Sequence, residues 1–161
     1  MAKAPRDHKT NALRELDAAH VAHEALFFEA EATMSGEEIA LAQGEDPDSC
    51  FKTLVTQGKS GEHYVFLVPV SGELDLKKAA SAAGEKAIAM IKARELLPLT
   101  GYVHGGCSPI GMKKRFATFV DETAQLFEEI YFSGGKVGCQ IRMNPDDLGK
   151  VVSFEYADLT V

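Results

Sequence analysis

Few residues in this 161-residue chain have the type and spacing to do chemistry. Lys52 interrupts an apolar run, Phe51-Lys52-Thr53-Leu54-Val55. On an alternating strand its side chain leaves by the face opposite Phe51 and Thr53, where it either snorkels at a sheet edge or reaches into a pocket. Further on, Thr100-Gly101-Tyr102-Val103-His104-Gly105-Gly106-Cys107-Ser108-Pro109-Ile110-Gly111 carries four glycines and one proline, and Lys113-Lys114-Arg115 follows at once. Glycine lets another group approach the backbone closely, and Pro109 pushes Ser108 toward extended geometry. This stretch reads either as a shaped loop presenting backbone amides to an anion or as an ordinary glycine turn. Within it, His104 and Cys107 form a candidate base–nucleophile pair, although a cysteine also serves as a small hydrophobe. The Ser108 hydroxyl either serves a ligand or closes a turn onto the backbone. Tyr102, Phe27 and Phe28 either stack on a base or belong to the core.

The surrounding pattern predicts the elements that must position these groups. Leu13 and Leu16 recur at a helical interval between Lys9 and Ala19, with Thr10 or Asn11 as cap. Ala25 to Phe28 reads as a strand. Ser35 with Glu38 is a capping box for a helix that stops near Gly44. Phe51–Thr56 and His63–Val70 read as a hairpin turning at residues 57–61, and the second strand is apolar enough to lie centrally. Asp75 caps a helix from Leu76 to Ala83. Ala87–Ile91 reads as a strand, and Ala93–Leu97 as a helix broken before Pro98. Phe116–Val120 is a strand, and Asp121 or Glu122 opens a helix through Leu126, Phe127 and Ile130. Tyr131–Ser133 and Cys139–Met143 form a hairpin around Gly134-Gly135-Lys136-Val137-Gly138. Asn144-Pro145 starts a helix, and Phe154–Leu159 adds a last strand. The carboxylate pairs Glu128-Glu129 and Asp146-Asp147 fall on predicted helices, where they serve solvation and the helix dipole.

Composition narrows the function. The length suits one domain over 1–161, with residues 1–8 expected to fray. No apolar run is long enough to span a bilayer, and Met1-Ala2-Lys3-Ala4-Pro5-Arg6-Asp7-His8 has no apolar core of a secretory signal. Cys50, Cys107 and Cys139 are odd in number and widely spaced, which fits a reducing cytosol better than a disulfide framework. No C-x-x-C pair or H-E-x-x-H motif suggests a metal, and no cofactor is indicated. Gly58-Lys59-Ser60 ends like a phosphate loop but has Thr53 where the first glycine belongs; neither glycine cluster fits G-x-G-x-x-G. Gly106-Cys107-Ser108-Pro109-Ile110 fails as a nucleophile elbow because Ile110 stands at its last glycine. A net charge of −7 makes tight, non-specific nucleic-acid binding unexpected, so any such contact must be local or assisted by a partner.

Four blocks in order, Phe51–Val55, Pro69–Ala80, Thr100–Gly111 and Tyr131–Gly138, resemble the YbaK/prolyl-tRNA synthetase-associated domain family. The resemblance implies a mixed α/β domain whose largely antiparallel sheet curls like a barrel and is flanked by helices. It implies a cytoplasmic trans-editing deacylase that removes a wrong amino acid, typically cysteine, from the proline tRNA. Lys52 would hold the terminal adenosine or its phosphate. The Gly105-Gly106-Cys107-Ser108-Pro109 loop would bind the aminoacyl carbonyl through backbone amides, each such donor being worth about 3–4 kcal/mol in acyl transfer. The residues expected at the site are therefore Lys52, Gly105, Gly106 and Ser108 for catalysis, with Phe28, Tyr102, Cys107, Pro109, Gly134 and Gln140 around the substrate. The implied partners are the aminoacylated 3′ end of tRNA and, in addition, prolyl-tRNA synthetase. Met34-Ser35 and Gln140 depart from the family's frequent aromatic and aspartate, which bears on amino-acid preference. Two rival readings remain, a non-catalytic aminoacyl- or nucleotide-binding module and thiol chemistry at Cys107, along with an editor of another small residue such as alanine.

Overall fold

The computed structural model describes residues 9–31 and 33–161; the fraying expected for residues 1–8 lies outside them. Local signals set most elements. Helix α1 is Asn11–Ala18, capped by Thr10, whose side chain accepts the Leu13 amide. Strand β1 is Glu24–Phe27. Helix α2 is Gly36–Ala42, opened by the reciprocal Ser35–Glu38 capping box. Then come β2 (Phe51–Gly58), β3 (His63–Pro69), α3 (Leu76–Ala83), β4 (Ile88–Met90), α4 (Ala93–Thr100), β5 (Ala117–Asp121), β6 (Ile130–Ser133), β7 (Cys139–Met143) and β8 (Phe154–Ala157). Short 3-10 turns occupy Pro47–Ser49, Glu122–Leu126 and Pro145–Lys150.

The strands form two sheets rather than one closed barrel. One has the order β1-β7-β6 and the other β4-β2-β3-β5-β8. The expected antiparallel character holds except at β3–β5 and β5–β8, which pair parallel. A single parallel bridge, Cys50 with Tyr131, joins the sheets where β2 begins. Strand β3 is central as predicted, and its Val65, Phe66, Leu67 and Val68 are all buried. Alternate residues feed two cores. Val65, Leu67, Phe51 and Val55 join α1, Tyr102 and Ile110 on one side; Phe66 and Val68 meet α3 and Leu159 on the other.

Two predicted helices differ. Helix α4 does not stop before Pro98 but continues to Thr100. The extra turn is held by Thr100 Oγ1 donating to the Leu96 carbonyl and by Gly101 N donating to Leu97. The helix expected through Ile130 is only the 3-10 turn Glu122–Leu126. Asp121 closes it tightly by accepting from Thr123, and β6 takes Ile130 into the core. Glu128-Glu129 thus follow a turn instead of riding a helix, and Glu129 lies 3.5 Å from Arg142.

Candidate active site

Register alone assembles the first half of the site. Lys52 pairs with Val68 and so shares the sheet face of Leu54 and Phe66, opposite Phe51 and Val55. The Cys50–Tyr131 bridge runs parallel, so Lys52 and Ser133, each two residues on, leave it on the same side. Ser133 in turn pairs with Gln140 across β6–β7, and Gln140 with Leu26 across β1. Ser133 and Gln140 are therefore cross-strand neighbours, and Lys52 lies on the same side of the seam between the sheets, a row on one face. Lys52 Nζ lies 3.3 Å from Glu73 Oε2, and its side chain remains one-third exposed (32%), which leaves the ammonium in reach of a ligand. Gln140 is buried at 8% exposure; its Nε2 donates to Glu45 Oε1 at 3.0 Å.

The glycine loop supplies the second half. Gly101 ends α4 with a left-handed φ of 85°. From there the chain is fastened by three of its own groups: Tyr102 Oη donates to the Ile110 carbonyl at 2.6 Å, Ser108 Oγ accepts from Ile110 N at 3.3 Å, and Lys113 N donates to Thr100 O at 3.0 Å. Gly106 touches the other glycine cluster. A Cβ there would stand 2.8 Å from Lys136 Cα and 2.9 Å from Val137 N, so no other residue fits without moving backbone. The 134–138 turn that it meets begins directly after Ser133. The loop and the Lys52–Ser133–Gln140 row are thereby brought to adjoining edges of the β6–β7 hairpin.

Not every expected donor is free. Gly106 N already donates to Val103 O at 2.9 Å, closing a turn. Among the described residues the amides of Gly105, Cys107 and Ser108 have no such partner. Ser108 is fully buried and its oxygen makes the backbone turn bond. Cys107 packs in the core, and burial pushes its thiol up to about 12, so it carries its proton at neutral pH. His104 is exposed on the same loop and makes no hydrogen bond to Cys107 among the described residues.

The remaining expected positions divide between surface and scaffold. Phe28 is half-buried just past β1, its amide bonded to Gly138 O at 3.0 Å. Tyr102, expected against the substrate, is instead enclosed at 5% exposure, because its hydroxyl anchors the loop and its ring edge abuts Gly135. Pro109 is buried, and Gly134 is a hinge of the hairpin: its amide donates to Cys139 O at 2.8 Å and its carbonyl accepts from Thr10 Oγ1. Three residues escaped sequence reasoning: Ser133, Glu73 and Glu45. Ser133 and Glu73 lay inside the blocks of resemblance but carried no chemical signal of their own. Glu45 looked like one carboxylate among several in a polar loop. Two clefts open on the surface, the first beginning at the glycine loop. One of about 230 Å³ runs from Pro109 and Gly111 along Lys113-Lys114-Arg115 to Val152. A second, of about 630 Å³, continues past Ala18 and Gly149. Neither is lined by Lys52, Ser133 or Gln140.

A glycine loop with unpartnered amides and a partly exposed lysine thus belong to one mixed α/β domain. Residues 30–151 match the aminoacyl-tRNA editing domain, and the chain belongs to that family. The resemblance to the YbaK family is borne out. The chain is 40% identical over 161 residues, covering 99% of itself and 98% of the relative, to an Enterococcus faecalis protein named "Putative Cys-tRNA(Pro)/Cys-tRNA(Cys) deacylase EbsC". A solved structure described as "a putative trans-editing enzyme for prolyl tRNA synthetase" superposes with a TM-score of 0.84 at 25% identity, over 99% of both chains. A hypothetical protein solved separately shares the fold, with a TM-score of 0.86 at 22% identity over 94% of this chain and 100% of that one. The protein is an aminoacyl-tRNA deacylase by this family membership. Among the described residues no helix is long and apolar enough to cross a membrane.

Proposed function

We propose that the whole chain acts in the cytoplasm as one trans-editing domain that releases cysteine from mischarged proline tRNA. The observation that carries this reading is the adjoining placement of the unpartnered Gly105, Cys107 and Ser108 amides and the Lys52–Ser133–Gln140 row. The amides stabilise negative charge that develops on the carbonyl oxygen of the aminoacyl ester. Lys52, held by Glu73, binds the terminal adenosine or its phosphate and keeps the ester in place. The base comes from the substrate, its thiol or its ribose hydroxyl, which agrees with a Cys107 thiol that stays protonated. The cleft beside Lys113-Lys114-Arg115 follows the acceptor strand, and prolyl-tRNA synthetase delivers the tRNA to a protein too acidic to capture it alone. The name of the Enterococcus faecalis relative supports cysteine as the amino acid.

The test is deacylation of proline tRNA charged with cysteine, alanine or proline, by wild type and by Lys52→Ala. Release of cysteine alone, reduced roughly 100-fold in the variant, is the expected result. Release of alanine instead moves the specificity to another small residue. No release of any of the three makes the chain a binding module.

A further inference from the structure

The side chains on the substrate-facing row leave one negative charge unanswered. Glu45 is placed by the end of α2: Gly44 adopts a left-handed φ of 72°, its amide donates to Leu41 O at 3.2 Å, and Glu45 N donates to Ala40 O at 2.9 Å. This closing turn lays the Glu45 carboxylate against the β6–β7 sheet face. There its Oε1 accepts two hydrogen bonds, from Gln140 Nε2 at 3.0 Å and from the Cys50 thiol at 3.3 Å. Two donors and no acceptor suit an ionised carboxylate. Burial pushes the Cys50 thiol up to about 12, with the Glu45 charge adding to the effect, so Cys50 remains a donor.

The nearby cations are all engaged by other groups. Lys52 lies beside Glu73; Arg142, two residues from Gln140 on the same face, is held by Glu24 and Glu129; Lys136 sits over the Phe27 ring at 5.6 Å. Among the described residues no cation pairs with Glu45. A second observation points the same way. Gln140 Oε1 is buried without any hydrogen-bond partner, on a side chain that is itself only 8% exposed. A buried acceptor left unsatisfied costs about 1–3 kcal/mol, a penalty a bound donor removes.

We propose that the Glu45 carboxylate and the Gln140 carboxamide oxygen together seat the α-ammonium of the aminoacyl group. An ammonium offers three donors, and the seat offers one charge and two acceptors. This rests on the deacylase reading for the identity of the ligand, and it assigns a specificity-determining role that reading leaves open. Gln140 is then a positioning residue as well as an acceptor, since its amide fixes the carboxylate.

Two measurements decide it. The first compares kcat/KM for cysteine-charged proline tRNA and for the same tRNA N-acetylated, in wild type and Glu45→Gln. Wild type is expected to favour the free amine roughly tenfold or more, and Glu45→Gln to lose that preference while cleaving the N-acetylated form as wild type does. Equal cleavage of both forms by wild type, or an equal loss on both in Glu45→Gln, overturns the seat. The second is calorimetric binding of cysteine linked by a stable amide to 3′-amino-adenosine, against its N-acetyl form. Discrimination present in wild type and absent in Glu45→Gln supports the seat even if no tRNA is deacylated, in which event only the deacylase reading falls. Binding of neither compound, or of both alike, overturns it.

Discussion

Cys107 and His104 share one loop, yet burial separates them: the thiol is in the core and pushed up to about 12, while the imidazole is in solvent. Cys107→Ser is therefore expected to retain most of the deacylase activity and to lose about 1–3 kcal/mol of stability, since a hydroxyl replaces an apolar sulfur. Steady-state kinetics beside thermal unfolding checks both halves, and a loss of activity without unfolding would restore the thiol mechanism. Lys52 behaves oppositely. Its ammonium is partly exposed and its one partner, Glu73, is a mostly solvated carboxylate, so the pair adds little to stability. Lys52→Ala should leave the melting temperature nearly unchanged while activity collapses. Lys52 stood out in the sequence because a charge in an apolar run is conspicuous. Glu45 did not, because an acid among Glu45-Asp46-Pro47-Asp48 has no local mark; its importance comes from Gln140, 95 positions away in the chain.

The two glycine turns act as one body at the scale of elements. Gly106 presses on the Lys136–Val137 backbone, and Thr10, the cap of α1, donates to Gly134. A Gly106→Ala substitution must push the turns apart; it is expected to cost about 1–3 kcal/mol and to reduce activity even in the cold, where the fold persists. Unfolding in urea, read beside kcat at low temperature, separates the two effects. Helix α2 offers a contrast. Ser35→Ala removes a cap from an exposed capping box and should cost about 1 kcal/mol, lowering the melting temperature by a few degrees with little change in kcat at low temperature. These short-range devices were legible in advance: capping residues, turn glycines and the Asn144-Pro145 start all act over three or four positions. The misread elements, α4 and the turn at Glu122–Leu126, were decided by contacts that propensity does not contain. Thr100 and Gly101 rescue a turn beyond Pro98, and the core demand for Ile130 shortens the other.

For the whole molecule, charge and burial set the response to solvent. Phosphate contacts confined to Lys113-Lys114-Arg115 predict tRNA binding with a shallow salt dependence, and replacing all three with alanine should remove roughly three units from its log–log slope at most. A steep slope that survives the triple substitution would place the acceptor strand elsewhere. Alkaline stability has a clear sign. Cys50 and Cys107 are raised by burial to about 12, above the ordinary thiol near 9, and Cys139 is raised as well. The folded state thus holds protons that the unfolded chain releases. The contribution of Cys50 and Cys107 is complete below pH 9 and drains away as pH rises toward 12, by about 1.4 kcal/mol per pH unit for each of the two, and Cys139 acts in the same direction. Denaturant titrations between pH 8 and 11 should show this decline, and Cys107→Ser should flatten it. By itself the sequence determined all but two of the longer elements in outline, their caps, the central place of β3, the glycine loops and the family they belong to, because those depend on neighbours a few residues apart and on an order of motifs. Tertiary structure alone decided that the strands form two sheets joined at Cys50–Tyr131, that Gly106 has already spent its amide, that Tyr102 is a pillar, and that Glu45 meets Gln140 beside Ser133. Strand register carries that information, and register is settled by which faces can be buried together, a property of the folded chain rather than of any segment within it.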